Sequence, residues 1–475
     1  MRRPLCSLLV LGLLAGAAPA RASGFMISKM GGDLAGPTEP NAAAVFWNPA
    51  AIGPVDGASL MLDFNLAWRS LDYTRSWEAV AADGRPDSPG RMRTFAVLPM
   101  VGFTVKPRLP WLTVGIAMYV PFGHRSDWPA YDLEAERARP EAERQPIPPQ
   151  AFHTLTGGIE IFYTTPSLAL CPFHGLGVDW LWLGLNVSWV RAEVDLARIK
   201  DLSSDINELL GFELAGPEQM AYSGTTELDF AGDSFAFAFG IYAQPWSWLR
   251  LGLSWTSGSK LVLPGTMRLY LPELVAGALD SGSLVKSRAE LHMDLPPALR
   301  FGVHWDITNR LVFRLNLEYV HWELFRDIRI HELELADEQG PVAGLEQMDE
   351  YIDPRRYRNA VDVRAGFRFY VRPWWMLFAG GGYDTSAVPA ATTTPDLYDG
   401  PKLGLAGGSW IQLIPLLEWI FDAELDRDDR IGLGLGVTWV HYLDRTISGS
   451  ATEPPINGDY RSEVILLNTN LEARF

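Results

Sequence analysis

The feature that most constrains the fold is a two-residue alternation of apolar and polar side chains, which recurs along nearly the whole chain. Residues 311–319 and 361–371 show it clearly, with apolar side chains at the odd positions and mostly Arg, Asn, Asp and Glu at the even ones. Successive side chains of a β-strand point to opposite faces, so the pattern predicts strands with one apolar and one polar face. Many segments run for ten residues or more, whereas strands of soluble sandwiches are usually shorter. The pattern therefore favours a transmembrane barrel, with lipid outside and a polar lumen inside, over a soluble β-protein.

The alternating segments predict fourteen strands, an even number as in bacterial outer-membrane barrels. The predicted strands are 58–74, 92–106, 111–120, 151–166, 179–195, 232–244, 248–266, 286–305, 311–327, 360–371, 374–384, 402–414, 431–443 and 462–475. Two features are irregular: Pro296-Pro297 interrupts the eighth strand, and the connection 415–430 is long for a periplasmic turn. The predicted fold class is all-β, a 14-stranded antiparallel transmembrane β-barrel over residues 58–475.

The connections between the strands alternate between short and long. The short turns are 106–110, 244–247, 306–310 and 372–373, and the long loops are 75–91, 121–150, 196–231, 267–285, 328–359, 385–401 and 444–461. Outer-membrane barrels place short turns on the periplasmic side and long loops outside. The positions of the 18 tryptophans support this orientation: many lie beside short turns and others lie near the opposite ends of the strands. Two such groups are expected where a barrel meets the two bilayer interfaces.

The N-terminal region predicts export and a plug. Arg2 and Arg3 precede the apolar stretch 8–18, and an Ala-Arg-Ala cleavage site follows, so residues 1–22 are a predicted signal peptide. Residues 23–57 do not alternate and are too few to form an independent core. The simplest arrangement folds them inside the barrel as an N-terminal hatch. The alternative is a disordered periplasmic tail, which the aromatic residues of this segment disfavour.

Charge and composition argue against several functions. The net charge of −17 becomes −20 once the three arginines of the signal peptide are removed, which disfavours nucleic acid as a partner. The 8 histidines show no metal-ligand spacing and no G-x-S-x-G motif is present, so we expect neither a cofactor nor an enzymatic activity. The mature chain keeps only Cys171, so no intrachain disulfide is expected. An exported, acidic chain without disulfides is typical of the bacterial envelope, and the barrel pattern indicates its outer membrane.

Short motifs are spread over nearly the whole mature chain. They are Ser23-Gly24-Phe25, Asn48-Pro49-Ala50, Asp-Leu-Pro-Pro at 294–297, Tyr-Val-His-Trp at 319–322 followed by Phe325, and Gly-Gly-Tyr-Asp-Thr-Ser-Ala-Val-Pro at 381–389. In this order they resemble the FadL family of outer-membrane long-chain fatty acid transporters. The resemblance implies a fourteen-stranded barrel, a small N-terminal hatch, and uptake of hydrophobic molecules by diffusion.

The resemblance also implies a lateral gate. In the family, the hatch carries Asn-Pro-Ala against a kinked third strand that opens the wall sideways, which assigns Asn48, Pro49 and Ala50 to the gate. The third predicted strand is followed by a Pro-Phe-Gly sequence at 121–123 that should interrupt strand pairing, so Gly123 is the predicted kink. Asp384 matches the family's strand-end acid near that opening. The alternatives are a plain turn at Asn48-Pro49 and an ordinary loop-end acid at Asp384.

One group of predicted substrate-binding residues is apolar. Residues 127–139 and 201–214 are predicted helices of two long loops, and in the family the helices of these loops form a first capture groove. The apolar residues assigned to substrate binding are Phe25, Phe122, Trp128, Ile206, Leu209, Leu210 and Phe212. The alternative is that the loop residues only pack the loops together.

The second group of predicted substrate-binding residues consists of lumen arginines. Arg314, Arg364 and Arg368 lie on the polar faces of predicted strands. A guanidinium group fits a carboxylate bidentately, so these residues are predicted to bind a fatty carboxylate. The alternative is that they form cross-strand ion pairs with neighbouring acids such as Glu318 and Asp362.

These features predict a monomeric outer-membrane protein for passive uptake of long-chain fatty acids or similar hydrophobic molecules. The predicted steps are capture at the extracellular loops, transfer to a lumen pocket, and lateral exit through the wall. Expected partners are the hydrophobic molecule, outer-membrane lipid and the barrel-insertion machinery, which the terminal Phe475 suits. Three alternatives stay open: a same-fold channel for aromatic or alkane hydrocarbons, a general porin, and an outer-membrane lipolytic enzyme. An arginine available for a carboxylate would favour fatty acids over hydrocarbons, and a high steady conductance would favour a porin.

Overall fold

The computed structural model describes residues 30–32, 35–76, 90–213, 218–278, 282–335, 350–421, 430–452 and 454–475. The predicted signal peptide and Phe25 lie outside these described residues. The strand segments are β1 Ala58–Arg75, β2 Gly90–Val105, β3 Leu112–Asp127, β4 Thr156–Leu170, β5 Leu181–Asp201, β6 Ser223–Trp246, β7 Leu249–Thr256, β8 Ser259–Tyr270, β9 Leu284–Leu295, β10 Ala298–Asp306, β11 Leu311–Val320, β12 Asp327–Leu335, β13 Glu350–Pro354, β14 Ala360–Arg372, β15 Trp375–Asp384, β16 Lys402–Gln412, β17 Arg430–Tyr442, β18 Arg445–Ile447 and β19 Gly458–Arg474.

The segments form one closed antiparallel barrel. Each wall strand pairs with its neighbours in chain order, and β1 closes the ring by pairing with β19 from Ser59–Arg474 to Arg75–Gly458. Five wall strands consist of two segments each, namely β7–β8, β9–β10, β11–β12, β13–β14 and β17–β18, so the nineteen segments form a wall of fourteen strands. The prediction of a 14-stranded antiparallel β-barrel is confirmed.

Prolines account for one of these interruptions. Pro296 and Pro297 separate β9 from β10, because proline has no N–H to donate to a ladder. On the neighbouring strand, the one-turn helix 322–324 separates β11 from β12 opposite this break, where the His321 N–H donates to the Pro297 carbonyl at 3.0 Å. The interruption that the sequence predicted in the eighth strand is therefore present.

The two faces of the wall have opposite character. Outward side chains are large, apolar and exposed, as Phe235 (60 %), Phe239 (54 %) and Leu405 (59 %) show. Inward side chains include buried polar residues, and Asn468 of β19 donates to Asp63 of β1 at 2.9 Å where these two strands close the ring. A continuous apolar surface of this size is stable against lipid and not against water, which explains the alternation in the sequence.

The described residues include five short α-helices outside the strands. They are α1 Ala44–Trp47, α2 Leu133–Ala138, α3 Ser203–Leu210, α4 Glu273–Ala278 and α5 Leu413–Phe421. Asp132 caps α2, where its carboxylate accepts from the Ala135 N–H at 3.0 Å, so this helix is shorter than the predicted 127–139. Within the described residues, no helix has the length and apolar character needed to cross a membrane.

The predicted strand boundaries differ from the observed ones mainly on the extracellular side. The predicted third strand ends at residue 120, but β3 continues to Asp127, and β5 and β6 extend into the predicted loop 196–231. The segment β13 also falls in a predicted loop. In the predicted turn 415–430, the described part contains α5.

Candidate gate and lumen cavities

The segment 35–57, here called the hatch segment, lies in the lumen at the periplasmic end. It contains α1 and a one-turn helix at Pro49–Ile52, and all residues from Ala42 to Ile52 are buried. Side chains from opposite sides of the wall bind its backbone: Asn186 donates to the Val45 carbonyl at 2.8 Å, and Arg474 donates to the Pro40 carbonyl at 3.0 Å.

Asn48 fixes the centre of this segment. Its Oδ1 accepts from the Ala50 N–H at 3.1 Å, and its Nδ2 donates to the Pro37 carbonyl at 2.9 Å and to the Ile241 carbonyl of β6 at 3.0 Å. Pro49 occupies the first position of the following turn, where its missing N–H costs nothing. The fully buried Asn48 amide therefore joins two parts of the hatch segment to the wall.

Two wall glycines allow this close approach. A Cβ atom at Gly240 would overlap the Asn48 side-chain oxygen, and one at Gly184 would overlap the backbone of Pro49 and Ala50. The Asn-Pro-Ala motif therefore packs against β5 and β6. The same turn reaches the third strand through Ile52, whose side chain lies beside Gly115 of β3.

Other hatch residues also contact the third strand. The ring of Phe46 lies 5.3 Å from that of Tyr119 in an edge-to-face arrangement. Thr113 Oγ1 donates to the Gly53 carbonyl at 3.0 Å. The hatch segment thus contacts β3 on either side of the motif, through α1 and through the residue after the turn.

The third strand leaves its neighbour halfway along the wall. The ladder between β2 and β3 runs only from Val105–Val114 to Met100–Tyr119. On its other edge, β3 pairs with β4 as far as Asp127, with a register shift between Tyr119 and Phe122. The ladder between β2 and β3 thus ends at a bulge, because a bulged strand bends away from its partner.

The bulge does not include the predicted residue. Gly123 pairs regularly with Glu160 of β4, whereas the irregularity falls at Val120 and Pro121, between the paired residues Tyr119 and Phe122. The prediction of Gly123 as the kink is therefore corrected to Val120-Pro121. Pairing with β2 ends at Tyr119, before the Pro-Phe-Gly sequence, whereas regular pairing with β4 resumes at Phe122 after the bulge.

Side chains fill the space where the ladder stops. We call this space the seam, between 90–99 of β2 and 120–127 of β3. Leu98 and Val120 are fully buried and contact each other at its lower end. Higher up, Ser126 Oγ donates to the Met92 sulfur at 3.4 Å. Side-chain contacts instead of a β-ladder therefore close the wall here.

A connection that folds into the lumen, residues 385–401 between β15 and β16, covers the inner side of the seam. We call it the strap. The Pro395 carbonyl accepts from Ser126 Oγ at 3.4 Å. The Tyr398 carbonyl accepts from Arg69 at 3.0 Å, and the Tyr398 ring stacks on the Tyr460 ring with 5.0 Å between the ring centres. Trp128 is buried beside the strap, and its Nε1 donates to Ser126 at 3.1 Å, so a capture role at the surface is not supported.

A buried ion pair holds the strap to the opposite wall. Arg355, between β13 and β14, donates to Asp396 at 3.0 Å and to Thr394 Oγ1 at 2.8 Å. Burial alone would raise the pKa of Asp396, but the positive charge of Arg355 and the hydrogen bonds lower it to about 2. The carboxylate therefore stays charged, and this ion pair persists, throughout the physiological pH range.

The strap separates two cavities in the extracellular half of the lumen. The outer cavity is mostly apolar and the inner one is mixed, and Leu397 of the strap and His124 of β3 line both. The apolar lining of the outer cavity comprises Ile159, Val194, Leu196, Leu228, Leu291, Ile328 and Ile330. Since His124 lies on the seam strand, both cavities reach the seam.

Aromatic side chains connect the inner cavity with the hatch segment. Phe122 is buried, with its ring 6.3 Å from Tyr163 and 6.4 Å from Trp322. Tyr163 in turn stacks on Tyr119 at 5.6 Å, and Tyr119 touches Phe46 of the hatch segment. The predicted residue Phe122 thus lies in an aromatic row between the seam and the hatch segment.

Asp384 lies in the wall of the inner cavity with His124. It accepts from Lys402 at 2.9 Å, and Lys402 also pairs with Asp399 of the strap at 2.8 Å. The acid is therefore close to the seam strand, and it forms part of the charged network that holds the strap.

The three predicted carboxylate-binding arginines already bind protein carboxylates. Arg314 and Arg368 both bind Glu39 of the hatch segment, with Arg368 at 2.9 Å. Arg364 binds Asp362 at 2.8 Å. The cross-strand alternative accounts for Arg364, while Arg314 and Arg368 clamp the hatch segment, so protein carboxylates already pair with all three arginines.

Sequence reasoning missed Arg198, which lines the outer cavity. Its Nη2 donates to the Tyr351 hydroxyl at 3.2 Å, and its guanidinium lies 5.8 Å from the Tyr351 ring centre. Its buried Nε has no hydrogen-bond partner among the described residues. The even position of Arg198 on β5 was the available signal, but the residue fell in a predicted loop.

The loop residues divide between packing and exposure. Ile206 is buried against Leu269 and Val275, which supports the loop-packing alternative for this residue. Leu209 and Leu210 belong to α3, but their side chains lie outside the described part of the structure. Phe212 follows α3 and is 59 % exposed, as is Leu274 of α4. An apolar surface is therefore present at the extracellular side.

The closed barrel with a filled lumen defines an outer-membrane β-barrel transport protein. Residues 178–410, about half of the chain, match the family described as outer membrane protein transport protein (OMPP1/FadL/TodX). The chain belongs to this family, which confirms the resemblance found in the sequence and the outer-membrane location. A search of curated proteins gave no match.

Solved structures share the fold over nearly the whole chain. A Pseudomonas aeruginosa FadL homologue has a TM-score of 0.75 at 17 % identity, with 96 % of this chain and 100 % of that chain covered. The Ralstonia pickettii toluene transporter TbuX has a TM-score of 0.60 at 14 % identity, covering 96 % and 99 %. The Pseudomonas putida toluene transporter TodX has a TM-score of 0.58 at 13 % identity, covering 96 % and 98 %.

Proposed function

We propose that this protein takes up hydrophobic compounds passively and releases them sideways through the seam into the membrane. One observation carries the proposal: the seam strand β3 leaves its β2 ladder where its residue His124 lines both lumen cavities. A backbone ladder inside a bilayer is costly to open, because its polar groups would lack partners in lipid. Apolar side chains such as Leu98 and Val120 can instead exchange their contacts for those of an apolar ligand.

The proposed route has three steps. The exposed Phe212 and Leu274 offer a first apolar contact on the extracellular side. The molecule then enters the apolar outer cavity and displaces Leu397 of the strap to reach the inner cavity. The buried hatch segment blocks the straight path to the periplasm, so the remaining exit is the seam.

We propose long-chain fatty acids as the substrate class, with Arg198 as the residue that binds the carboxylate. Its unpartnered Nε and the apolar lining of the outer cavity together suit an amphiphile with one negative charge. The second candidate is a hydrocarbon. The pairing of Arg314, Arg364 and Arg368 with protein carboxylates supports this alternative, because it leaves fewer cations for a charged ligand.

Uptake of labelled oleate and labelled toluene tests both candidates, in cells that lack their own transporter and express this protein. Arg198→Gln should lower oleate uptake about tenfold and leave toluene uptake unchanged. Arg191→Gln is the matched control, since Arg191 lies on the same strand but on its outward face. Toluene uptake alone would assign the hydrocarbon function, and uptake of neither compound would refute the proposal.

A further inference from the structure

The periplasmic connection between β16 and β17 contains a helix that the uptake route does not use. This helix, α5, has the sequence Leu-Ile-Pro-Leu-Leu-Glu-Trp-Ile-Phe, in which Glu418 is the single charged residue. Most of the other wall turns on this side are much shorter, for example the two residues between β6 and β7. An apolar helix at this position therefore needs an explanation of its own.

The exposed side chains of α5 are large and apolar. Leu417 is 40 % exposed, Trp419 is 72 % exposed and Ile420 is 53 % exposed. The described residues of the barrel thus leave one face of the helix uncovered. Contact of such a face with water is unfavourable, so a partner must cover it.

The position of Trp419 indicates what that partner is. Its ring lies 5.8 Å from Trp374 in the neighbouring turn, and Trp374 lies 6.4 Å from Trp375, the first residue of β15. Tryptophans at the ends of barrel strands mark the level of the lipid headgroups. Trp375 is in the outward register of β15 and its Nε1 donates to Ser409 at 2.9 Å, and Trp374 also lines a cavity at the periplasmic end of the lumen. The exposed face of α5 therefore borders the periplasmic edge of the lipid-facing wall.

We propose that α5 lies in the periplasmic leaflet of the outer membrane, with Leu417, Trp419 and Ile420 among the lipid chains. The helix has no Lys or Arg, so its attraction to the leaflet is apolar and suits zwitterionic phosphatidylethanolamine. The next eight residues, 422–429, carry five acids and one arginine. A sequence of this charge partitions into water, which limits how deeply the connection can insert.

Fluorescence quenching in vesicles tests this proposal on the full barrel. Ile420→Cys is made in a Cys171→Ser background and labelled with an environment-sensitive dye. The protein is then reconstituted into phosphatidylethanolamine-rich vesicles that contain phospholipids brominated near the headgroup or near the chain end. Lipid bromines near the headgroup should reduce the emission about twofold, with less effect from the deeper bromines.

Two labelled controls bracket the result. Asp56→Cys reports periplasmic water, since the Asp56 side chain is 92 % exposed, and Leu405→Cys reports the lipid face of β16. Leu417→Cys repeats the test at a second position on α5, and the heat-dependent gel mobility of each barrel shows whether it is folded. If aqueous iodide quenches the dye on the Ile420→Cys barrel as strongly as the dye on the Asp56→Cys barrel, the proposal is overturned. Protection from both iodide and lipid bromine would also overturn it and would indicate a protein partner.

Discussion

Removal of the Asn48 side chain should loosen the hatch segment without unfolding the barrel. Asn48→Ala deletes two donated hydrogen bonds, to the carbonyls of Pro37 and Ile241, and one accepted from the Ala50 N–H, all at a buried site. Each buried group left without a partner costs about 1–3 kcal/mol, and the two carbonyls keep a second lone pair. We therefore expect the free energy of local opening to fall by about 2–4 kcal/mol.

Hydrogen exchange measures this change directly. At about 1.4 kcal/mol per tenfold, the amides of the hatch segment should lose protection by a factor of about 30 to 700. Asn186→Ala is the matched control: it removes one buried hydrogen bond to the Val45 carbonyl, so its effect should be close to tenfold. The barrel ladders should keep their protection in both variants. Unchanged exchange of the hatch segment in Asn48→Ala would refute this account of how it is held.

Three further predictions follow from the wall, the seam and a loop. Gly240→Val should displace the hatch segment, because the added side chain overlaps Asn48; increased protease cleavage within residues 35–57 would report this, and an unchanged pattern would contradict it. A cysteine pair at Leu98 and Val120, crosslinked by oxidation, should lower uptake at least fivefold and recover with reductant; full uptake by the crosslinked barrel would exclude exit at the seam. Burial lowers the pKa of His153 to about 4 from the ordinary 6.5. The folded protein therefore favours neutral His153, so the loop between β3 and β4 that contains it should lose stability as the pH falls from 6.5 towards 4. Proteolysis of this loop should become faster over that pH range, and His153→Phe should remove the pH dependence.

The fold could be predicted because each wall strand must satisfy lipid on one side and the lumen on the other. This requirement places the alternation in the sequence, and β1 was predicted at 58–74 and found at Ala58–Arg75. The requirement for one apolar face weakens beyond the bilayer, where neither face of a strand needs to be apolar. That is why the extracellular extension of β5 and the short β13, Glu350–Pro354, were missed.

The site was harder to predict because its partners are far apart in the chain. Arg314 looked available for a ligand carboxylate, but its partner Glu39 lies 275 residues away and on a segment without strand pattern. Arg198 was overlooked for the opposite reason, since its strand position lay in a predicted loop. The strap, too, follows from contacts that no local pattern encodes, such as the pairing of Asp396 with Arg355.

The clamp of Arg314 and Arg368 on Glu39 has a consequence for the whole cell envelope. These ion pairs hold the hatch segment at the periplasmic end of the barrel, which is the end that it fills, while the seam lies in the extracellular half of the wall. Opening the seam therefore does not require the filled end to move. On the proposed route, a molecule is admitted by its preference for oil over water. Many copies of such a barrel would leave the electrical resistance of the membrane intact and would keep water-soluble toxins outside.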